Sequence, residues 1–327
     1  MSFGTDAYFR LARQTSGNVA VTTATSFHVV PIISHNLATA VPELISDTIR
    51  QRYEEGPSAA GIVSAAGDVS FRFHPSALGP FLYAALGPSV STVVGSSFRH
   101  VFTPVQPTSR YGPDYALNPF TIGAGIGTDS EEFQFTDGQC NRLSLEFVAG
   151  QYMRGTANFM CRISSLAAAV TVTQPSGVEF TWNQASVSLR GAASVDYENV
   201  TITVDNNLTF LATLDGQTVN RRILRNGYRT IRISGTADMP DNNEYDQFRA
   251  GSEMALAIET VGATINATCT ESNERLRIRV PAFRYSSYPV GVSGPNRISV
   301  GFEGRAVFHV GSALAMDITL VNTRTAY

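Results

Sequence analysis

The 327-residue sequence contains no lysine, so all 24 of its Lys-or-Arg side chains are arginine. Two readings of that absence stand. Arginine makes planar, bidentate contacts and is enriched at protein interfaces where lysine is depleted, which fits a chain that packs against copies of itself. A GC-rich genome produces the same bias. Charge of either sign is scarce as well: 16% of residues are charged, against about a quarter in ordinary soluble domains. A surface so poor in charge fits contact with other protein. The formal net charge of −3 leaves no basic footprint for neutralising phosphates, which disfavours tight nucleic-acid binding.

Chemistry-bearing residues are also few. The five histidines, His28, His35, His74, His100 and His309, lie in separate segments and form no HExxH or His-x-His pair. There is no Gly-x-Ser-x-Gly elbow and no Walker loop. Cys140, Cys161 and Cys269 are unevenly spaced without a CxxC motif, and read as buried reduced thiols. Asp238, Asp241, Glu244 and Asp246 offer oxygen ligands, but the spacing of a calcium loop is missing, and capping of a following helix accounts for Asp241 and Glu244 more simply. The expectation is no enzyme, no cofactor and no metal. Met1–Gln14 lacks the pattern of a signal peptide, and no apolar run approaches the roughly 20 residues that span a bilayer. The sequence therefore reads as made and kept in a cytoplasm, without a membrane partner.

What is present is period-2 alternation of apolar and polar residues, the mark of half-buried strands. It is clearest at Asp68–Phe73, Cys140–Phe147, Val200–Asp205, Tyr228–Ala237, Arg275–Val280, Ile298–Phe308 and Asp317–Val321. In Arg275–Val280, Leu276, Ile278 and Val280 form a dry face, and Arg275, Arg277 and Arg279 a cationic one. Short helices are expected at His74–Leu86, weakened by its internal Gly79-Pro80, and at Asn242–Arg249. Pro104–Gly127 reads as long loop, and Gly123-Ala-Gly125-Ile-Gly127 as a mobile one. Glu54, Glu55, Asp129, Glu131 and Glu132 form acidic clusters, read first as solvated loop charges.

The halves correspond in order at an offset near 170 residues. Ile32–Leu44 lies against Thr203–Leu214, sharing Asn36-Leu37 and Asn207-Leu208. Ile62–Phe73 lies against Ile231–Met239, bringing Asp68 close to Asp238. A short helix follows in each, then Leu143–Phe147 or Leu276–Val280, then a Gly-x-Ala-x-Phe spacing, Gly155 to Phe159 or Gly304 to Phe308. The expected organisation is a mainly β protein of two domains, 1–163 and 164–327. Each would be a β-sandwich with a short flanking helix, the first carrying a Pro/Gly-rich insertion at about 88–130. Chance likeness between strand-rich halves is the competing account.

Glu43–Gly87, with a charged Arg-containing loop, a strand ending in Phe71-x-Phe73 and a helix ending in Ala85-Leu86-Gly87, resembles the N-terminal part of phage tail tube proteins. Phe135–Phe159 resembles the strand pair that follows. Val200–Leu208, Arg232–Met239, Val280-Pro281 and Gly304–Phe308 are similar to the closing part. The likeness runs from about Phe27 to Val321, and consists of spaced small and apolar residues. It implies a virion protein of a long-tailed bacteriophage, assembled in the bacterial cytoplasm, whose rings stack into the tail tube that conducts the genome. Strands of neighbouring copies would close a β-barrel, abolishing exposed edges. With six sandwich domains per ring and two per chain, the ring would be trimeric and pseudo-sixfold. The implied partners are further copies of this chain, the tape measure, tail terminator and distal tail proteins, and DNA passing through the lumen without specific binding. The cationic face of Arg275, Arg277 and Arg279 is then expected against acidic groups of a neighbouring domain or subunit, away from the lumen. A capsid decoration protein, a tail terminator and a carbohydrate-binding sandwich module are the alternatives.

Overall fold

The computed structural model describes residues 6–15, 17–23, 26–49, 51, 53–106, 117–126, 131–194, 197–239, 241–266, 271–291 and 297–327. The fold is mainly β with two short helices, α1 (Gly79–Leu86) and α2 (Asn243–Ala250). Among the described residues, 19 strands join in one hydrogen-bonded system, with two separate two-stranded hairpins.

One antiparallel sheet spans both halves of the chain. Its order is Ser34–His35 with Ala38–Ala40, Ser64–Arg72, Arg154–Cys161, the 139–148 part of Glu131–Val148, Tyr197–Asp205, Thr230–Asp238, Ser299–Ala306 and the 283–287 end of Asn273–Ser287. The halves join where 142–148 pairs with 199–205, from Arg142 opposite Asp205 to Val148 opposite Asn199. Alternation explains why these segments are strands: in Tyr197–Asp205, Val200, Ile202 and Val204 are buried while Thr201, Thr203 and Asp205 are not. Pleating sends those two sets to opposite faces.

Two further sheets cover the apolar face. The first runs His28–Val30, Tyr8–Arg13, Phe120–Gly125, the 131–136 part of Glu131–Val148, and Ile163–Ala168. The second runs Ala192–Ser194, Ala185–Leu189, Met254–Thr264, the first part of Asn273–Ser287, Asp317–Asn322, Ser97–Phe102 and Ser89–Val94. Glu131–Val148 and Asn273–Ser287 each cross from a covering sheet into the spanning sheet, and each shows a register slip soon after entering it, between Cys140 and Arg142 and between Tyr285 and Ser287. Such bulges bend a strand and raise its local twist. One core runs through the whole, from Phe9 and Leu11 through Phe71, Phe81 and Phe159 to Ile278 and Phe302. This is sandwich packing; among the described residues no barrel closes within the chain.

Several expectations need correction. Pro104–Gly127 is not all loop, because Phe120–Gly125 is a strand buried at every position and paired on both sides. Its glycines are there because the opposite side chains lie flat on them: a Cβ on Gly125 would fall 2.1 Å from the Tyr8 ring. Residues 107–116 and Gly127 lie outside the described set. The segment read as an insertion contains the hairpin Ser89–Val94/Ser97–Phe102, which joins Asp317–Asn322 in the second covering sheet. The first helix begins only at Gly79, with Pro80 in its first turn, where a missing N–H costs nothing. All eight of its residues are buried, and Phe81 stacks on Phe71 at 3.9 Å. In α2 none is buried. Phe308 lies past the end of Ser299–Ala306, and is 54% exposed.

Candidate functional site

The face of the spanning sheet turned away from the core is polar. It forms a groove of about 820 Å³ lined by Asp68, Arg142, Ser144, Glu146, Thr156, Asn158, Thr203, Asp205, Arg232, Ser234, Ser286, Glu303 and Arg305. Each comes from the polar half of a strand's alternation, so the groove follows from the same pattern that builds the core.

Its charges are mixed and largely tied together. Arg154 Nε donates to Glu146 at 2.6 Å, and Arg142 Nη2 to Asp205 at 3.4 Å across the junction of the halves. Asn158 Nδ2 donates to Asp68 at 2.9 Å. At the far end Arg297 reaches both Glu198 and Asp238. Arg232 and Arg305 stand opposite one another on neighbouring strands. Among the described residues this face offers no cluster of nucleophile, base and orienting group of the kind a reaction needs. Among the described residues no three His, Cys, Asp or Glu side chains gather where they could hold a metal.

Asp68 and Asp238 both lie on this sheet, on Ser64–Arg72 and Thr230–Asp238. Asn36 and Leu37 sit between the edge strands Ser34–His35 and Ala38–Ala40, where the Asn36 N–H bonds the Asp68 carbonyl at 3.0 Å. Asn207 and Leu208 are elsewhere: Asn207 follows the end of Tyr197–Asp205 at φ 51°, and Leu208 opens a hairpin. Gly155 pairs with Phe71 and Leu145, and Gly304 with Ile233 and Tyr285. Phe159 is fully buried, unlike Phe308. These small-residue matches do not mark equal places in the pairing.

Arg275, Arg277 and Arg279 lie in the second covering sheet with Leu276, Ile278 and Val280 buried beneath. Arg275 Nε is 3.4 Å from Glu259, and Arg279 Nε donates to Asp317 at 2.8 Å. Arg277 is exposed between Glu259 and Thr319. The acids nearest to them therefore come from adjacent strands of the same sheet.

Two buried polar clusters escaped the sequence reading. Glu132, read as a solvated charge, is fully buried. It accepts from Tyr8 Oη at 2.8 Å and from Arg10, whose Nε lies at 3.0 Å. Asp137 is equally buried, bound by Gln14 Nε2 and Arg162 Nη1, each at 2.9 Å. The one signal in the sequence was Asp137-Gly138, a turn dipeptide inside a strand-like run, which marks the place where Glu131–Val148 changes sheets. Cys140 and Cys161 are free thiols, and complete burial pushes both pKa values up, away from reactivity. Cys269, Asp129 and Pro240 lie outside the described residues.

Two hairpins lie outside the large strand system. Glu43–Ile45 pairs with Ser58–Ala60, and Leu208–Leu211 with Arg222–Arg225. The residues between those strands include Ile49 at 97%, Tyr53 at 107% and Leu214 at 110% exposure. Apolar side chains held this far into solvent on these arms are candidates for contact with another molecule.

No curated protein matches the chain. A family model described as "Phage tail tube protein" matches residues 4–306, nearly the whole length, including the spanning sheet and both arms, so the chain belongs to the phage tail tube protein family.

Proposed function

We propose that this chain is the structural subunit of a phage tail tube, polymerising into stacked rings around a lumen through which the genome leaves the virion. The observation that carries the reading is the spanning sheet. It covers both halves, presents one apolar and one polar face, and ends at 34–40 on one side and at 283–287 on the other. Exposed edges of that kind template pairing with another chain unless closure removes them.

We further read the chain as a duplicated sandwich. In support, each half contributes a hairpin arm, a central strand of the spanning sheet (Ser64–Arg72 or Thr230–Asp238), a helix, and a long strand that changes sheets at a bulge. Two sandwich units per chain favour a trimeric ring with pseudo-sixfold symmetry. The polar groove then faces the lumen. A conduit should not grip phosphates, and arginines held by Glu146 and Asp205 leave little net positive charge to do so. The tape measure, terminator and distal tail proteins meet the ends of such a tube.

Expression of the full chain followed by electron microscopy tests this. Hollow tubes with three chains per averaged ring are expected. Six full-length chains per ring would refute the duplication reading, and an ordered shell would refute the tube.

A further inference from the structure

We propose that the edge 34–40 of one copy pairs antiparallel with Ser287–Gly291 of the next, with Ala40 opposite Ser287. The inference rests on the tube reading and adds the register of its subunit contact. The chain carries its own template at the junction where 142–148 pairs with 199–205. On one side of that junction, 199–205 is held by 236–230 of the central strand Thr230–Asp238, just as 34–40 is held by 70–64 of Ser64–Arg72. Both central strands have nine residues. The edge 34–40 therefore stands where 199–205 stands.

On the other side, Arg142 is the first paired residue after the bulge of its strand, and Ser287 the first after the corresponding bulge. Arg142 opposite Asp205 thus becomes Ser287 opposite Ala40. Burial agrees with this register. Leu143 and Leu145 are buried opposite Val204 and Ile202. Their counterparts Tyr288 and Val290 fall opposite Thr39 and Leu37, with Tyr288 already buried and Val290 41% exposed until a second copy covers it. The edge is held in place from behind, since a Cβ on Gly67 would come within 2.4 Å of Leu37 Cα. Pro289 withholds one ladder donor, which blunts the edge of the lone chain. The helices tell the same story: α1, flanking the internal junction, is wholly buried, and α2, flanking the open edge, is not.

The test is an Ala40→Cys/Ser287→Cys variant, oxidised after assembly. Directly opposed antiparallel residues have Cα atoms about 4.5–5.5 Å apart, within disulfide range. An Ala38→Cys/Ser287→Cys variant is displaced by two residues on the same face, beyond reach. The single variants control for native thiols. Expected is a non-reducing ladder of covalent multimers ending at the ring size, from the first variant alone. Tubes without multimers, or equal linking by the displaced pair, would overturn the register and leave the tube reading standing. If the cysteine variants do not assemble, hydrogen exchange on parent tubes decides: amides of 34–40 should be more protected than in the monomer, and equal exchange overturns the pairing. A parent chain that forms no tubes removes both proposals.

Discussion

At the scale of single residues, the least replaceable groups lie far from the polar face. Glu132 and Arg10 are both buried, and Tyr8 and the face of Phe27 complete their surroundings. Deleting one member leaves the other as an unpaired buried charge, which costs about 3–5 kcal/mol, whereas replacing both by apolar residues of similar volume is often neutral. Glu132→Ala should therefore lower the unfolding free energy by about that amount in urea titration. Arg10→Met combined with Glu132→Leu should recover most of it. Equal stability of the single and double variants would show that lost packing, and not the stranded arginine, sets the cost. Nothing local announces this pair, because its members are separated by 122 positions and an acidic doublet at Glu131-Glu132 looks the same whether solvated or buried.

At the scale of elements, strands were legible where one face is wet. Val200–Asp205 and Arg275–Val280 alternate because water bathes one side, so periodicity alone recovers those parts of Tyr197–Asp205 and Asn273–Ser287. Phe120–Gly125 was lost for the opposite reason. Both of its faces are buried, which removes the alternation, and its glycines mimic a loop although their role is to admit the Tyr8 and Arg10 side chains. Polar groove residues were legible only as the discarded half of each strand's pattern.

The segment after Asp317–Asn322 makes a further element-scale prediction. Arg324 Nη1 donates to His28 Nδ1 at 3.0 Å, the Arg324 carbonyl bonds His100 Nε2 at 2.9 Å, and the Tyr327 ring packs on both imidazoles. Burial, aided by Arg324, pushes the His28 pKa from 6.5 to about 4, and burial lowers that of His100 as well. A neutral imidazole can accept from Arg324; a protonated one would set two cations together. Below pH 6.5 the unfolded chain takes up protons that the folded chain refuses, so stability present above 6.5 is lost as pH falls toward about 4. The urea midpoint should drop between pH 7 and pH 5, and drop less in His28→Asn, whose side-chain oxygen can still accept from Arg324. An identical pH dependence in that variant would place the titration elsewhere.

At the scale of the whole molecule, the spanning sheet and the two arms point in different functional directions. In the proposed tube, pairing along the sheet would close a ring, while the arms, with Ile49, Tyr53 and Leu214 standing in solvent, are suited to holding one ring on the next. The second arm is rooted in its own apolar cluster of Leu117, Met160, Leu208 and Ile223, and Arg162 Nε holds the Asn220 carbonyl at 2.8 Å. It can thus present its tip without being part of the main core. Leu214→Asp touches nothing inside the chain, so monomer stability should stay within about 0.5 kcal/mol of the parent. Burying that carboxylate at a ring-to-ring contact would be costly unless a cation met it. Sedimentation and electron microscopy of the variant should therefore show rings or very short stacks where the parent gives long tubes. Parental tube lengths from Leu214→Asp would remove the second arm from the stacking contact, and leave closure of the ring through the sheet edges as the separate question that the cysteine pairs answer.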